Sequence, residues 1–334
     1  MKIRLKPLDQ QVVVVLGASS GIGRASALRL AARGAKLVVA ARSESALTSL
    51  VQEITTAGGD AVLQVCDVVD PDQVERLADF AVSHHGRIDT WVNCAALSLF
   101  ATFEETTPAE FRRLMEVNYL GQVHGALAAL PHLRAAGQGA LISISSVESR
   151  VSLPLHAAYS AGKHAVQGVM DSLRRDLIAD RAPVSVTTIK PGTIDTPLFG
   201  NSRNKMDHMP KGAPPIYSPN VVAACVEFAA EHPVRDLLAG GSALQMLTTE
   251  FFAPKAMDVL LGRVAIKAEH THELTPGGSP GNLDAPSSDD RVKGGLHGRP
   301  SVFTWFEVHP RLRRLAAAGA VVGSVSLTRR LARA

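Results

Sequence analysis

A chain of 334 residues has room for one large α/β domain with an appendage, or for two domains. Hydrophobic residues at 46% against 20% charged exclude a disordered chain, and aromatics at only 4% leave alanine, valine and leucine to fill the core. The net charge of +4 is modest, and the basic residues are scattered except for Arg311, Arg313, Arg314, Arg329, Arg330 and Arg333, which argues against nucleic acid as a partner.

The N-terminal MKIRLKPLDQQ is basic but has no apolar run of a signal peptide, and no stretch reaches the ~20 apolar residues of a spanning helix, so the expected compartment is the cytoplasm. Short apolar runs then alternate with longer helical patterns. Val12–Leu16, Lys36–Ala41, Ala61–Cys66, Ile88–Asn93, Ala140–Ser145 and Val184–Lys190 read as strands covered on both faces. Between them Ile22–Arg33, Glu44–Ala57, Pro71–His85, Pro108–Ala136 and Ala157–Asp180 read as helices. A helix at Pro219–Glu231 and a strand at Arg235–Ala239 complete the series. Strand and helix in strict rotation predict an α/β fold with a doubly wound parallel sheet. The catalytic domain is expected over 1–253. An extension over 254–334 follows: a helix at Pro254–His272, a Gly/Pro-rich linker at Thr275–Pro300 and a terminal helix over Arg311–Ala334. Cys66, Cys94 and Cys225 are odd in number and far apart, which predicts small buried hydrophobes rather than disulfides or a metal site.

The first strand runs into Gly17-Ala18-Ser19-Ser20-Gly21-Ile22-Gly23, and a helix follows. Glycines permit close approach of a pyrophosphate, and the helix N-terminus offers free N–H groups and a positive dipole end. The second strand ends Ala40-Ala41-Arg42, with no acid before Glu44 to bind a ribose 2′-hydroxyl; Arg42 can pair with a 2′-phosphate, which favours NADP(H) over NAD(H). Asp67 and Val68, after the third strand, are placed to meet the adenine, or Asp67 caps the loop that follows.

Tyr159-Ser160-Ala161-Gly162-Lys163 lies in a helical pattern, so Tyr159 and Lys163 share a face one turn apart. An ammonium there is expected to lower the phenol's pKa and make it a competent acid–base group near neutrality. Ser146, just beyond the fifth strand, can hold a substrate oxygen.

With loop, Asn, Ser, Tyr and Lys in this order, residues 10–245 resemble the short-chain dehydrogenase/reductase family. The resemblance implies a Rossmann-like three-layer α/β/α fold with strand order 3-2-1-4-5-6-7 and homodimer or homotetramer formation through the long helices. It also implies roles. Asn118 holds a water that links Lys163 to solvent, Ser146 polarises the carbonyl, Tyr159 transfers the proton, and Lys163 also holds the nicotinamide ribose. Asn93 matches the family's Asn-Asn-Ala-Gly segment. Pro191-Gly192-Thr193-Ile194-Asp195-Thr196 matches the segment at the nicotinamide, where Ile194 and Thr196 contact the carboxamide. Three departures stand out: Leu16 where threonine is usual, Asn93-Cys94-Ala95-Ala96 for Asn-Asn-Ala-Gly, and Gly162 where serine is common.

Leu198–Ser218, with Arg203, Lys205, His208 and Lys211, is the expected mobile substrate lid. Its basic residues either attract an acidic substrate or simply solvate the lid. Leu97, Leu99, Phe100, Leu153 and Leu155, with Tyr217 as a further candidate, suggest an apolar pocket and a small-molecule alcohol or carbonyl. Leu315–Leu327 is apolar between arginines and either lies on an anionic membrane surface or packs on protein. Glu269-His270-Thr271-His272-Glu273 has metal-ligand residue types but no distant fourth ligand, and no metal is expected.

Overall fold

The structure, a computed structural model, describes residues 3–313. The terminal helix expected beyond, with its membrane or packing role, lies outside the described residues. In chain order the elements are β1 (Val12–Leu16), α1 (Gly21–Ala31), β2 (Lys36–Ala41), α2 (Glu44–Thr56), β3 (Asp60–Val65), α3 (Pro71–His85), β4 (Thr90–Asn93), β5 (Leu99–Phe100), α4 (Pro108–Met115), α5 (Gly121–Ala135), β6 (Gly139–Ile144), α6 (Ala157–Ala179), β7 (Val184–Pro191), α7 (Leu198–Asn201), β8 (Arg203–Asn204), β9 (His208–Pro210), α8 (Pro219–Glu231), β10 (Asp236–Ala239), α9 (Gly241–Phe252), α10 (Pro254–Ala268), β11 (His270–Leu274) and α11 (Val302–Glu307).

Seven strands form one parallel sheet in the order β3-β2-β1-β4-β6-β7-β10, the doubly wound topology expected. The two-residue period of a strand divides its side chains between two cores. Val13, Val15, Leu37 and Val39 pack with Leu30, Leu47, Ile54 and Val222 on one face. Val14, Leu16, Val38 and Ala40 pack with Leu77, Trp91, Val166 and Met170 on the other. Both faces are covered, which is why these strands are apolar throughout.

Local signals set the helix ends. Asp70 accepts from the N–H groups of Asp72 and Gln73 ahead of α3, Pro71 occupies its first turn, and Gly86 closes it in the left-handed region. Thr107 and Glu110 form a capping box on α4. The helix expected over Pro108–Ala136 runs unbroken to Ala135, with α4 and α5 joined through a π-helical turn at Glu116–Leu120 that carries Asn118. Such turns recur at functional sites because the extra residue re-aims a side chain.

The extension folds back onto the core. The helix expected to reach His272 stops at Ala268, because the chain turns there: Glu269 faces inward and β11 pairs antiparallel with β9 of the lid. The stretch expected as a linker is a strap held to the core by named bonds. Asp195 accepts from the backbone N–H groups of Gly294, Leu296 and Gly298 at 3.0, 2.8 and 3.0 Å. Arg42 and Arg113 donate to the carbonyls of Asn282 and Leu283, and the Gly21 N–H donates to that of Arg291. Among the described residues no helix is long and apolar enough to cross a membrane.

Candidate active site

At the carboxyl ends of the strands, where doubly wound sheets bind ligands, lies a cavity of about 540 Å³. One end is the glycine loop. Gly17 has φ +96°, and a Cβ there would collide with the backbone of Ala95; a Cβ on Gly23 would collide with the Gly17 carbonyl. These are positions that only glycine satisfies, and they leave backbone exposed beside Ser19, Ser20, Gly21 and Ile22, which line the cavity with them. Arg42, Asp67 and Val68 line the same end. Asp67 also caps its own loop, accepting from the Val69 N–H at 3.2 Å. Pro191, Gly192, Ile194 and Thr196 line the cavity too, with Thr196 beside the loop, 3.2 Å from where a Cβ on Gly21 would sit.

Ser146, Tyr159 and Lys163 line the same cavity and lie together. Ser146 follows β6, and its Oγ accepts from the Glu148 N–H at 3.1 Å. Tyr159 and Lys163 share a face of α6, with Nζ 5.5 Å from the phenol ring centroid. Lys163 is buried, and Nζ donates to the Ile144 carbonyl at 3.0 Å. Burial pushes the Lys163 ammonium down to about 8. The expected lowering of the Tyr159 pKa is not what the structure holds. Burial and then the Glu148 carboxylate push it up, opposed by a hydrogen bond to Ser146. Desolvation of the phenolate is the largest cause, and the neighbouring ammonium does not offset it.

Two expected residues do not reach the cavity with their side chains. Asn118 is buried in the π-helical turn, where it accepts from the Leu97 N–H at 2.8 Å and donates to the Leu97 carbonyl at 2.9 Å. It therefore holds the chain segment that follows β4. Asn93, expected to contact the cofactor, points inward: its Oδ1 accepts from Trp91 Nε1 and its Nδ2 donates to the Gln122 carbonyl. The departure at Gly162 has a packing reason, since a Cβ there would press against Cβ of Asn118 at 3.2 Å.

Leu97 and Leu153 line the cavity as expected, and Leu198 and Phe199 from the segment expected to be a lid line it too. Leu99, Phe100 and Leu155 are not part of this lining, and Tyr217 is a core residue whose hydroxyl accepts from the Ser242 N–H. Sequence reasoning missed the rest of the wall: Met246 from α9, Met257, Leu261 and Val264 from α10, and the ionisable Glu148, His156 and Glu269. One signal was available. His156 precedes Tyr159 by three positions, and Glu148 follows Ser146 by two. Glu269 was noticed only as part of a possible metal run. Instead its carboxylate faces His156, while the His270 ring stacks on His208 at 4.5 Å.

The family profile described as short chain dehydrogenase matches residues 11–207. The chain belongs to the short-chain dehydrogenase family. An uncharacterized oxidoreductase of Bacillus subtilis, YxnA, is 35% identical over 332 residues, spanning 97% of this chain and 92% of its own, so the likeness includes the extension. The mouse dehydrogenase/reductase SDR family member 7B is 37% identical over 206 residues, 60% of this short-chain dehydrogenase and 63% of the mouse protein. Among solved structures, an alcohol dehydrogenase from the archaeon Thermococcus sibiricus complexed with 5-hydroxy-NADP superposes with a TM-score of 0.59 at 27% identity, covering 68% of this chain and 95% of that one. A metagenomic short-chain oxidoreductase in complex with NADP gives 0.58 at 30% identity, covering 68% and 96%.

Proposed function

We propose that this protein is an NADP(H)-dependent oxidoreductase that moves a hydride between the nicotinamide and the carbon of an alcohol or carbonyl, with Tyr159 exchanging the proton on the substrate oxygen. The observation that carries this reading is that Ser146, Tyr159 and Lys163 line one cavity together with the glycine loop and Arg42. The residues present fit a dinucleotide. Gly17 and Gly23 leave a cradle that any Cβ would fill, and it opens at the N-terminus of α1. Arg42, in the absence of an acid at the end of β2, favours a 2′-phosphate. The two NADP-type complexes among the structural relatives support the same choice.

The nicotinamide supplies or accepts the hydride when bound. This chain's residues do the rest. The Ser146 hydroxyl holds the substrate oxygen beside Tyr159. The phenol is kept protonated by burial and by Glu148, which is the form needed to donate in carbonyl reduction. Lys163 stands under the phenol with its ammonium fixed by the Ile144 carbonyl, where it can hold ribose hydroxyls. Asn118 fixes the Leu97 backbone at the cavity wall. Met246, Met257, Leu261 and Val264 make the substrate end apolar and exclude water, which suits a small to medium apolar substrate. We extend the reading to a homo-oligomer, supported by Leu127 on α5 and Ile178 on α6, large apolar side chains left exposed on the helices concerned.

The test is oxidation of NADPH and of NADH over a panel of neutral ketones and aldehydes. The expected result is turnover of at least one apolar carbonyl with NADPH preferred. Binding of NADPH with no turnover of any carbonyl would leave a nucleotide-binding protein instead of an enzyme.

A further inference from the structure

Three buried ionisable side chains stand beside Tyr159, and the mechanism above uses only Glu148. Glu148 and His156 are each 6% exposed, and Glu269, contributed by the extension where α10 passes into β11, is 1% exposed. His156 Nδ1 lies 3.1 Å from Glu148 Oε1, while Glu148 Oε2 accepts from Ser160 Oγ at 2.7 Å. On the far side of the ring, His156 Nε2 lies 3.6 Å from Glu269 Oε2, and neither atom has a hydrogen-bond partner among the described residues. The same ring stands edge-on to Tyr159, with centroids 5.9 Å apart. All three residues line the cavity among apolar neighbours.

Two carboxylates share one imidazole, so a charged His156 neutralises only one of them. Burial works against the charge on His156, but Glu148 and Glu269 outweigh it and hold the ring up at about 9. Burial, aided by Glu148 and opposed by His156, pushes the Glu269 carboxyl up to about 7. The lid's basic residues do not offset this charge: Arg203 pairs with Glu110 and Asp284 at 3.2 and 2.6 Å, and Lys205 pairs with Glu110 at 2.8 Å.

We propose that Glu269 sets the charge preference of the substrate chamber. Glu148 is offset by His156, and the Lys163 ammonium stands beside Tyr159 in the same cavity, so the ionisation of Glu269 decides whether the chamber carries a net positive charge or none. Ionised Glu269 therefore shifts the pocket's preference toward neutral apolar carbonyl compounds, or ones bearing an ammonium group, and away from carboxylates and phosphate esters. A like charge in a site of low polarity is a strong means of discrimination, about tenfold or more at chamber distances. This deepens the function proposed above and rests on it in one respect, that the chamber is the substrate site. Other titratable groups also face the array. They are Tyr159 and Lys163 on α6, and Cys94 after β4. From the lid side His208 and His270 stack on each other, and Lys211 meets Glu269 through its backbone N–H.

The test uses binding, so it does not require turnover. Octanol, octylamine and octanoate are titrated into the full-length protein by calorimetry, with and without NADPH, at pH 6 and pH 7.5. Both charged ligands stay ionised over that range, which lies below the loss of the Lys163 charge. The expected result is that octylamine gains on octanoate by about tenfold from pH 6 to pH 7.5. In Glu269→Gln the ratio becomes flat with pH and shifts about tenfold toward octanoate, with NADPH affinity unchanged. A ratio that is flat with pH in the native protein, or that keeps its pH dependence in Glu269→Gln, overturns the proposal. The native pH arm decides the question by itself if the variant does not fold. Failure of NADPH to bind, with the ligand ratios as expected, would count against the cofactor reading and leave this proposal standing.

Discussion

The Lys163 ammonium lies 5.5 Å from the centroid of the Tyr159 ring and donates to the Ile144 carbonyl, while the phenol is held toward its protonated form. The pair is therefore built less as a pre-formed phenolate than as a buried acid with a cation beneath it.

A pH dependence follows with a definite sign. Lys163 is charged below about 8 and loses its charge above. Tyr159, pushed up, is protonated across the neutral range. The reductive rate is expected to be level from about pH 6 to pH 8 and to fall above, roughly tenfold per unit where one ionisation limits it. The oxidative rate, which needs the ionised phenolate to accept the alcohol's proton, rises with pH. Initial rates in both directions across pH 6–10 check this. A reductive rate that increases through pH 9 would contradict it.

Arg42 is the side chain asked to distinguish the two dinucleotides. Arg42→Ala is expected to weaken NADPH binding by about 10- to 100-fold, the worth of one charge-assisted contact of ~1.5–3 kcal/mol. NADH binding should change by less than about threefold. Fluorescence titration of both cofactors checks it, and equal losses would place the selectivity elsewhere.

Asp195 holds the strap over the cavity by accepting three backbone N–H groups, and it is almost fully buried. Asp195→Ala leaves those donors without their partner, at a cost of about 2–3 kcal/mol. A lower Tm is expected, together with protease cuts between residues 279 and 300 that the native protein resists. Intact resistance at native-like Tm would show that the other contacts suffice.

Much of this was legible beforehand. The six strand runs and the glycine loop are local signals, so their positions agree with the structure within a residue or two at most ends. The π-helical turn at Glu116–Leu120 inside the helix of Pro108–Ala136 is not legible, because one extra residue in a turn leaves the helical pattern unbroken. The inward turn of Asn93 depends on Trp91 and Gln122, a tertiary matter. The direction of the Tyr159 shift is not legible for a related reason: spacing reveals the neighbouring ammonium but not the burial of both groups. The strap looked like a linker since Gly, Pro and Ser give no periodicity. Its order comes from Asp195, Arg42 and Arg113 far away in sequence.

Single-turnover reduction of a neutral ketone by NADPH-saturated enzyme tests the central claim most directly, with native protein and Tyr159→Phe compared by stopped flow. The account predicts that the variant binds NADPH within about threefold of native while the hydride-transfer rate drops by about 10²-fold or more, the usual worth of a positioned general acid. An undiminished rate in Tyr159→Phe would contradict it.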